Sequence, residues 1–315
     1  MQILRNLNDL TANTQPSVVS VGNFDGVHLG HQMVLASMVK RARELSARSA
    51  IVTFDPHPSH VLHSSRRTPL ITPLAQKLDL LAAAGIDLTL VLRFDDELRR
   101  WSAQEFAERV LKNALRTVEV HEGESFRFGY GASADVTGLS ELGRECGFTV
   151  RTYEPLIMDG APVSSSRIRA LIAAGDIADA NALLGRNFSI CTTPAPGRGY
   201  GARYTVPTIN LAPYSELLPA IGVYVTTLAI GEPGSARCFP GVTNVGNRPT
   251  FGADSFAVET HLLDFEPIRL DESTPLALAF LHRIRDERRF ESPEALREQI
   301  QRDVATAKGI FAERT

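Results

Sequence analysis

The stretch SVGNFDGVHLGHQ, Ser20–Gln32, decides how this chain is read. It opens on an apolar strand, Val18–Val21, that breaks at Gly22 and passes through a short loop into a helix beginning near His31. A strand, a loop at its carboxyl end and a helix make the unit that binds ligands in open α/β sheets. The helix start adds unpaired N–H groups and a partial positive charge, which suit a phosphate. His28 and His31 stand three apart around Gly30, so both imidazoles reach one small volume, and Gly30 has no side chain to hold a phosphate off the backbone. An HxxH spacing alone is weak evidence, because a capping histidine beside an exposed one explains it equally well. The loop residues Gly22, Asn23, Asp25, Gly26 and Gly30 change that weighting, since so much Gly and Asx after an apolar strand is costly to order without a ligand.

Outward from this stretch, strands and helices alternate. Helices are predicted over His31–Ser46, Pro73–Ala84, Ser102 to about Ala114 (with Ser102 and Glu105 as a capping box) and Glu141–Cys146. Strands are predicted over Ser49–Phe54, Leu88–Phe94, Thr117–Val120 and Phe148–Arg151, with an edge strand or arm in residues 1–15. This alternation predicts a Rossmann-like α/β domain with a parallel sheet. Two short helices follow, one after Ser164, Ser165 and Ser166 and one over Asp176–Leu184. From Asn187 to Arg283 the pattern changes to short apolar alternations between Gly, Pro and Asn turns, which predicts an antiparallel sheet or an antiparallel β-barrel. A final helix is capped by Ser292 with Pro293 as its first residue. The expected domains are therefore 1–185 and 186–315.

Composition narrows the class. The 315 residues are 43% hydrophobic and 22% charged, ordinary for a folded chain of two domains. A net charge of −3 gives no footprint for nucleic acid or a membrane surface. No signal peptide or membrane-spanning run is visible, and Cys146, Cys191 and Cys238 form no CxxC pair. We expect a cytoplasmic protein with no nucleic-acid, membrane or obligatory protein partner.

The tetrad HLGH resembles the HxGH signature of nucleotidylyltransferases, and GNFDGVHLGH is similar to the adenylyltransferase module of bacterial bifunctional riboflavin kinase/FAD synthetases. SSSRIR resembles that family's (I/V)SSTxIR motif, with Ser166 where threonine is usual; TFDPHP matches its TFDPHP signature. GESFRFG resembles GxDFxFG, with Ser125 replacing an acidic or amide residue. In the second half, TVPTINL resembles the GFPTANL motif of riboflavin kinases, with Thr205, Val206 and Ile209 replacing Gly, Phe and Ala; VETHLLDF and GVTNVGNRPTFG match two further family strings.

The resemblance implies phosphorylation of riboflavin to FMN, then adenylylation of FMN to FAD with release of pyrophosphate, each using ATP and Mg²⁺. It implies nucleotide contacts from Gly22, Asn23, Phe24, Asp25, Gly30, Ser164, Ser165, Ser166, Arg169, Asn244 and the glycines 197, 199 and 201 of GRGYG. Flavin contacts are expected from Asp55, Pro56, His57, Pro58, Ser125 and Arg248, and metal ligands from Thr208 and Asn210. His28 and His31 would serve transfer to the α-phosphorus. Glu259 would serve as the base that makes a ribityl hydroxyl nucleophilic. Singly, each has a plain structural explanation: a turn, a helix cap, a solvent-facing strand residue. The alternatives are a chain with one active half, or a flavin-binding protein without turnover. The latter is disfavoured because binding alone needs neither HLGH nor Glu259.

Overall fold

The structure is a computed structural model that describes residues 1–10, 15–62, 67–195, 208–247, 256–263 and 270–313. It comprises two compact units, Met1–Ser165 and Ser166–Thr315.

The first unit is built on strands β1 (Gln2–Leu4), β2 (Ser17–Val21), β3 (Arg48–Phe54), β4 (Leu88–Leu92), β5 (Thr117–Gly123) and β6 (Thr149–Tyr153). They form one sheet in the order β1-β4-β3-β2-β5-β6. Every pairing in it is parallel. Helix α1 (Leu29–Glu44) follows β2, and a short α2 (Pro58–Leu62) and α3 (Leu74–Ala83) follow β3. Helix α4 (Ala103–Phe106) continues as a π-helical stretch, Ala107–Ala114, and α5 (Val136–Cys146) precedes β6. The capping box of Ser102 and Glu105 is present. A two-stranded hairpin, β7 (Ile157–Met158) and β8 (Ala161–Pro162), closes the unit. One apolar cluster holds Val18, Leu35, Met38 and Ile51 and another Val19, Val52, Val110, Val120 and Phe148, as expected for a parallel sheet covered on both sides. From β2 the chain winds outward to β3 and β4, with the N-terminal β1 on the edge beyond them, and then crosses to the other side of β2 for β5 and β6, so the strand order reverses between β2 and β5. That switch point is where the Gly22–Gly30 loop leaves the sheet.

The sequence reading ended β5 at Val120, where Glu119, His121 and Glu122 interrupt the apolar pattern. The strand runs on to Gly123 because those polar groups find partners. His121 Nε2 lies 2.9 Å from Glu119 Oε1, and its Nδ1 is 2.7 Å from the Tyr153 hydroxyl, itself 2.7 Å from Ser37 Oγ. Burial pushes the His121 imidazole below its ordinary pKa, with Glu119 opposing. The neutral ring therefore donates to Glu119 and accepts from Tyr153. Glu119 also meets Arg41 at 3.0 Å and Arg151 at 2.6 Å, which ties α1, β5 and β6 together.

The second unit begins with α6 (Ser165–Ala174, its first residue still in the first unit) and α7 (Ile177–Leu184). Strands β9 (Phe188–Thr192), β10 (Thr208–Asn210), β11 (Gly222–Ile230), β12 (Arg237–Asn247), β13 (Phe256–Leu262) and β14 (Leu276–Arg285) form an antiparallel sheet in the order β10-β13-β12-β11-β14-β9. Its edges meet. Pro194 bridges Leu211, Ala195 N–H donates to Asn210 O at 2.9 Å, and Ala212 N–H to Thr193 O at 2.8 Å, so the sheet closes into the expected barrel. Inside it, Thr226, Thr243 and Thr260 share a buried hydroxyl chain with spacings of 2.7 and 2.9 Å. The last helix, α8 (Pro293–Ala312), covers Val223, Val225, Val242 and Leu281 through Ala307. Its Asp303 carboxylate takes a forked hydrogen bond from Arg285, 3.2 Å from Nε and 2.8 Å from Nη2.

Asn181 of α7 donates to Phe280 O at 2.9 Å and accepts from Phe188 N–H at 2.6 Å, so the helices between the two sheets pack with the barrel. Among the described residues no helix is long and apolar enough to cross a membrane.

Candidate active sites

The helix after HLGH starts at Leu29, two residues before the expected position, because His28 itself is its N-cap. His28 Nδ1 accepts from His31 N–H at 3.3 Å, which leaves the ring proton on Nε2 as a donor. The two imidazoles stack with centroids 3.7 Å apart, and Phe24 lies against His31 at 5.1 Å. A Cβ on Gly30 would stand 3.3 Å from the His28 ring, so the absent side chain lets the ring lie over the first turn. At Gly22 a Cβ would come within 3.2 Å of the Phe24 ring.

The loop is held from beneath. Asn23 O accepts from Lys77 Nζ at 2.9 Å, and Lys77 also donates to Thr53 Oγ1 at 3.1 Å. Lys77 is buried, and burial pushes its ammonium pKa down, with Asp25 and Asp55 acting the other way. Asp25, expected among the nucleotide contacts, turns its carboxylate inward. It accepts from Ile71 N–H and Thr72 N–H, each at 3.0 Å, and it is buried. Thr72 Oγ1 in turn accepts from Gly26 N–H at 2.9 Å. The Asp25 carboxylate thus fixes the shape of the loop from inside.

Asp55, Pro56, His57 and Pro58 follow β3, and Ser125 follows β5, so both segments leave the same carboxyl edge of the sheet as HLGH. His57 Nδ1 lies 2.8 Å from Ser59 Oγ, and Ser125 is exposed. Ser164 and Ser165 lead into α6, and Ser165 Oγ donates to Asp25 O at 2.8 Å, which brings this motif onto the HLGH loop. Ser166 and Arg169 sit in the first turns of α6.

On the barrel, the register places Asn210 of β10 opposite Glu259 of β13, and Glu259 opposite Asn244 of β12. Directly paired residues share a face, so these three side chains form one row; Thr208, two residues from Asn210, shares that face. Glu259 is exposed, and Asn244 Nδ2 donates to Glu287 Oε1 at 3.2 Å. Gly201, Gly199, Gly197, Thr205, Val206 and Arg248 lie outside the described residues.

Three residues escaped the sequence reading. Lys77 stands with Leu78 and Leu81 on the buried face of α3, and a lysine on an apolar stripe was the available signal. Glu122 is a carboxylate inside a strand. Glu287 lies between β14 and α8, where nothing in the sequence connects it to Asn244.

The fold and these constellations define a two-domain enzyme, a nucleotidylyltransferase-type α/β unit followed by a kinase-type β-barrel. Comparison with known proteins agrees. The FAD synthetase family matches residues 10–167 and the riboflavin kinase family residues 184–311. The bifunctional riboflavin kinase/FMN adenylyltransferase of Pseudomonas fluorescens is 36% identical over 313 residues, 99% of this chain and 98% of its own. That of Escherichia coli K12 is 32% identical over 314 residues, with 99% and 98% covered. A crystal structure from Streptococcus pneumoniae, described as a macrolide-efflux protein, superposes with a TM-score of 0.85 at 26% identity, covering 97% of this chain and 98% of that one. The chain belongs to the bifunctional riboflavin kinase/FMN adenylyltransferase family, and it is an enzyme with both activities.

Proposed function

We propose that the two reactions are carried by separate residue sets, adenylylation by the HLGH loop and phosphorylation by the Asn210–Glu259–Asn244 row. The observation that carries this reading is that the two sets stand on different sheets. In adenylylation a phosphate oxygen of FMN attacks the α-phosphorus of ATP and pyrophosphate leaves. No covalent nucleophile is needed, only donors and cations that hold two anions and offset charge in the transition state. His28 Nε2–H, His31, the first amides of α1, the hydroxyls of Ser164, Ser165 and Ser166, and Arg169 are our candidates. Asp55 to Pro58 and Ser125 would meet the flavin at the same edge.

In phosphorylation Glu259 takes the proton from the ribityl hydroxyl as its oxygen attacks the γ-phosphorus and ADP leaves. Among the described residues no group of three or more His, Cys, Asp and Glu could hold a metal. The Thr208 hydroxyl and Asn210 amide oxygen are hard donors and fit Mg²⁺, which takes few protein ligands. They would hold it beside Glu259, where the cation offsets phosphate charge. Gly197, Gly199 and Gly201 would wrap the ATP phosphates, and Arg248 would contact the flavin. We assign residues 1–185 to adenylylation and 186–315 to phosphorylation. The family matches, ending at 167 and resuming at 184, support that division, although α7 packs on the barrel. We place the protein in the cytoplasm, where thiols stay reduced: among the described residues no disulfide joins Cys146, Cys191 or Cys238.

The test is a chromatographic product assay with ATP and MgCl₂, one tube given riboflavin and the other FMN. FAD in both tubes is expected; FMN alone from riboflavin and nothing from FMN would remove the first site.

Two substitutions probe the support of the loop. Gly30→Ala is expected to displace the His28 ring and lower FAD formation by about tenfold. Its melting temperature should stay level or rise, because Ala favours the helix by about 1 kcal/mol over Gly. Lys77→Met is expected to release Asn23 and lower adenylylation about tenfold or more. Phosphorylation of riboflavin should not change in either variant. Steady-state rates of both reactions with a thermal melt check both.

A further inference from the structure

At the carboxyl end of β2 one amide lacks a sheet partner. Gly22 N–H turns to β3 and donates to Val52 O at 2.9 Å. Successive amides along a strand face opposite neighbours, so Val21 N–H faces β5. The ladder between β2 and β5 ends at Val19–Val120, and no β5 carbonyl pairs with Val21. The side chain of Glu122 supplies the acceptor. Its Oε1 takes Val21 N–H at 2.5 Å and lies 3.4 Å from Ser20 Oγ, with the residue only 5% exposed. Beyond Val21 the chain enters the loop that ends in the stacked histidines.

We propose that Glu122 is a positioning residue for FMN adenylylation: its carboxyl group anchors the parted end of β2 and thereby sets the Gly22–Gly30 loop that carries His28 and His31. This rests on the assignment of that loop to adenylylation. Burial pushes the Glu122 pKa well above the ordinary carboxylate range, against the hydrogen bonds from Val21 and Ser20. A neutral acid still accepts through Oε1, and it adds no negative charge beside a crevice that must take a triphosphate. Other ionisable groups around this part of the sheet include Asp25, His28 and His31 in the loop after β2, Asp55 after β3, Lys77 on α3, Arg41 on α1, Glu119 and His121 on β5, Glu124 after it, and Arg151 and Tyr153 on β6.

The experiment compares wild type with Glu122→Gln and Glu122→Met. Gln keeps the acceptor and cannot ionise; Met keeps the length and has no strong acceptor. For FMN adenylylation at pH 7, E122Q is expected to hold kcat within about twofold and E122M to lower it about tenfold or more, with a smaller change in KM. Neither alters phosphorylation of riboflavin. As pH rises and Glu122 ionises, the wild type loses adenylylation, and E122Q retains it to higher pH. Stability follows the same titration. Above the ordinary Glu pKa the native state holds the extra proton, so wild-type stability falls as pH rises towards the folded-state pKa. The melting temperature of E122Q relative to wild type should rise over that span. Wild-type kcat in E122M, or superimposable pH profiles with a constant difference in melting temperature for E122Q, would overturn the proposal. Should E122M not fold, the E122Q profiles decide alone. If replacing the histidines leaves FAD formation intact, the site assignment fails instead.

Discussion

Replacing both His28 and His31 with alanine is expected to abolish FAD formation, by about a thousandfold or more, while riboflavin should still be converted to FMN at the wild-type rate. The magnitude follows from the chemistry: each preorganised donor at a developing charge contributes on the order of a hundredfold to a thousandfold, and this site holds two imidazoles 3.7 Å apart. The variant also loses the cap on α1, because His28 Nδ1 accepts from His31 N–H. Lost N-caps cost about 0.5–2 kcal/mol, and that cost must be separated from loss of chemistry. His28→Asn serves as the control. Asparagine caps helices well but has no donor where Nε2 stands, so the fold should hold while adenylylation still falls. Chromatographic rates from FMN and ATP, with a thermal melt of each variant, distinguish the two effects.

The second large effect is the mirror image. Glu259→Gln would remove the proposed base and keep shape and hydrogen bonding, so phosphorylation of riboflavin is expected to fall by about a hundredfold to ten-thousandfold. FMN supplied directly should still become FAD. Glu259 is exposed on its strand, so little stability is at stake. A wild-type rate of FMN formation in this variant would move the role of base elsewhere. Glu287 is then the next candidate, because its carboxylate accepts from the amide of Asn244, a member of the same row, at 3.2 Å.

The parts of this architecture that the sequence made legible are those where local pattern and tertiary demand agree. β2 is buried at every position, the Ser102–Glu105 box caps its helix, and Ser292 with Pro293 starts α8 as expected. The row Asn210–Glu259–Asn244 joins three motifs far apart in the chain, and only strand register brings them together. What escaped the reading is polar and buried. β5 looked finished at Val120 because His121 and Glu122 do not read as strand interior; they belong there only because β6 supplies a partner to His121 and the end of β2 supplies partners to Glu122. Nothing local announced that the Asp25 carboxylate also accepts from the amides of Ile71 and Thr72, forty-six and forty-seven residues away. Such pairings over long separations leave no local signal.

The most direct test of two separate sites in one chain is complementation. The His28→Ala, His31→Ala double variant is mixed with Glu259→Gln in one tube with riboflavin, ATP and MgCl₂, beside each variant alone. The account predicts FMN from the histidine variant alone, no flavin product from E259Q alone, and FAD from the mixture, since FMN released by one protein is substrate for the other. Loss of FMN as well as FAD in the histidine variant, or FAD from riboflavin in either variant alone, would contradict it.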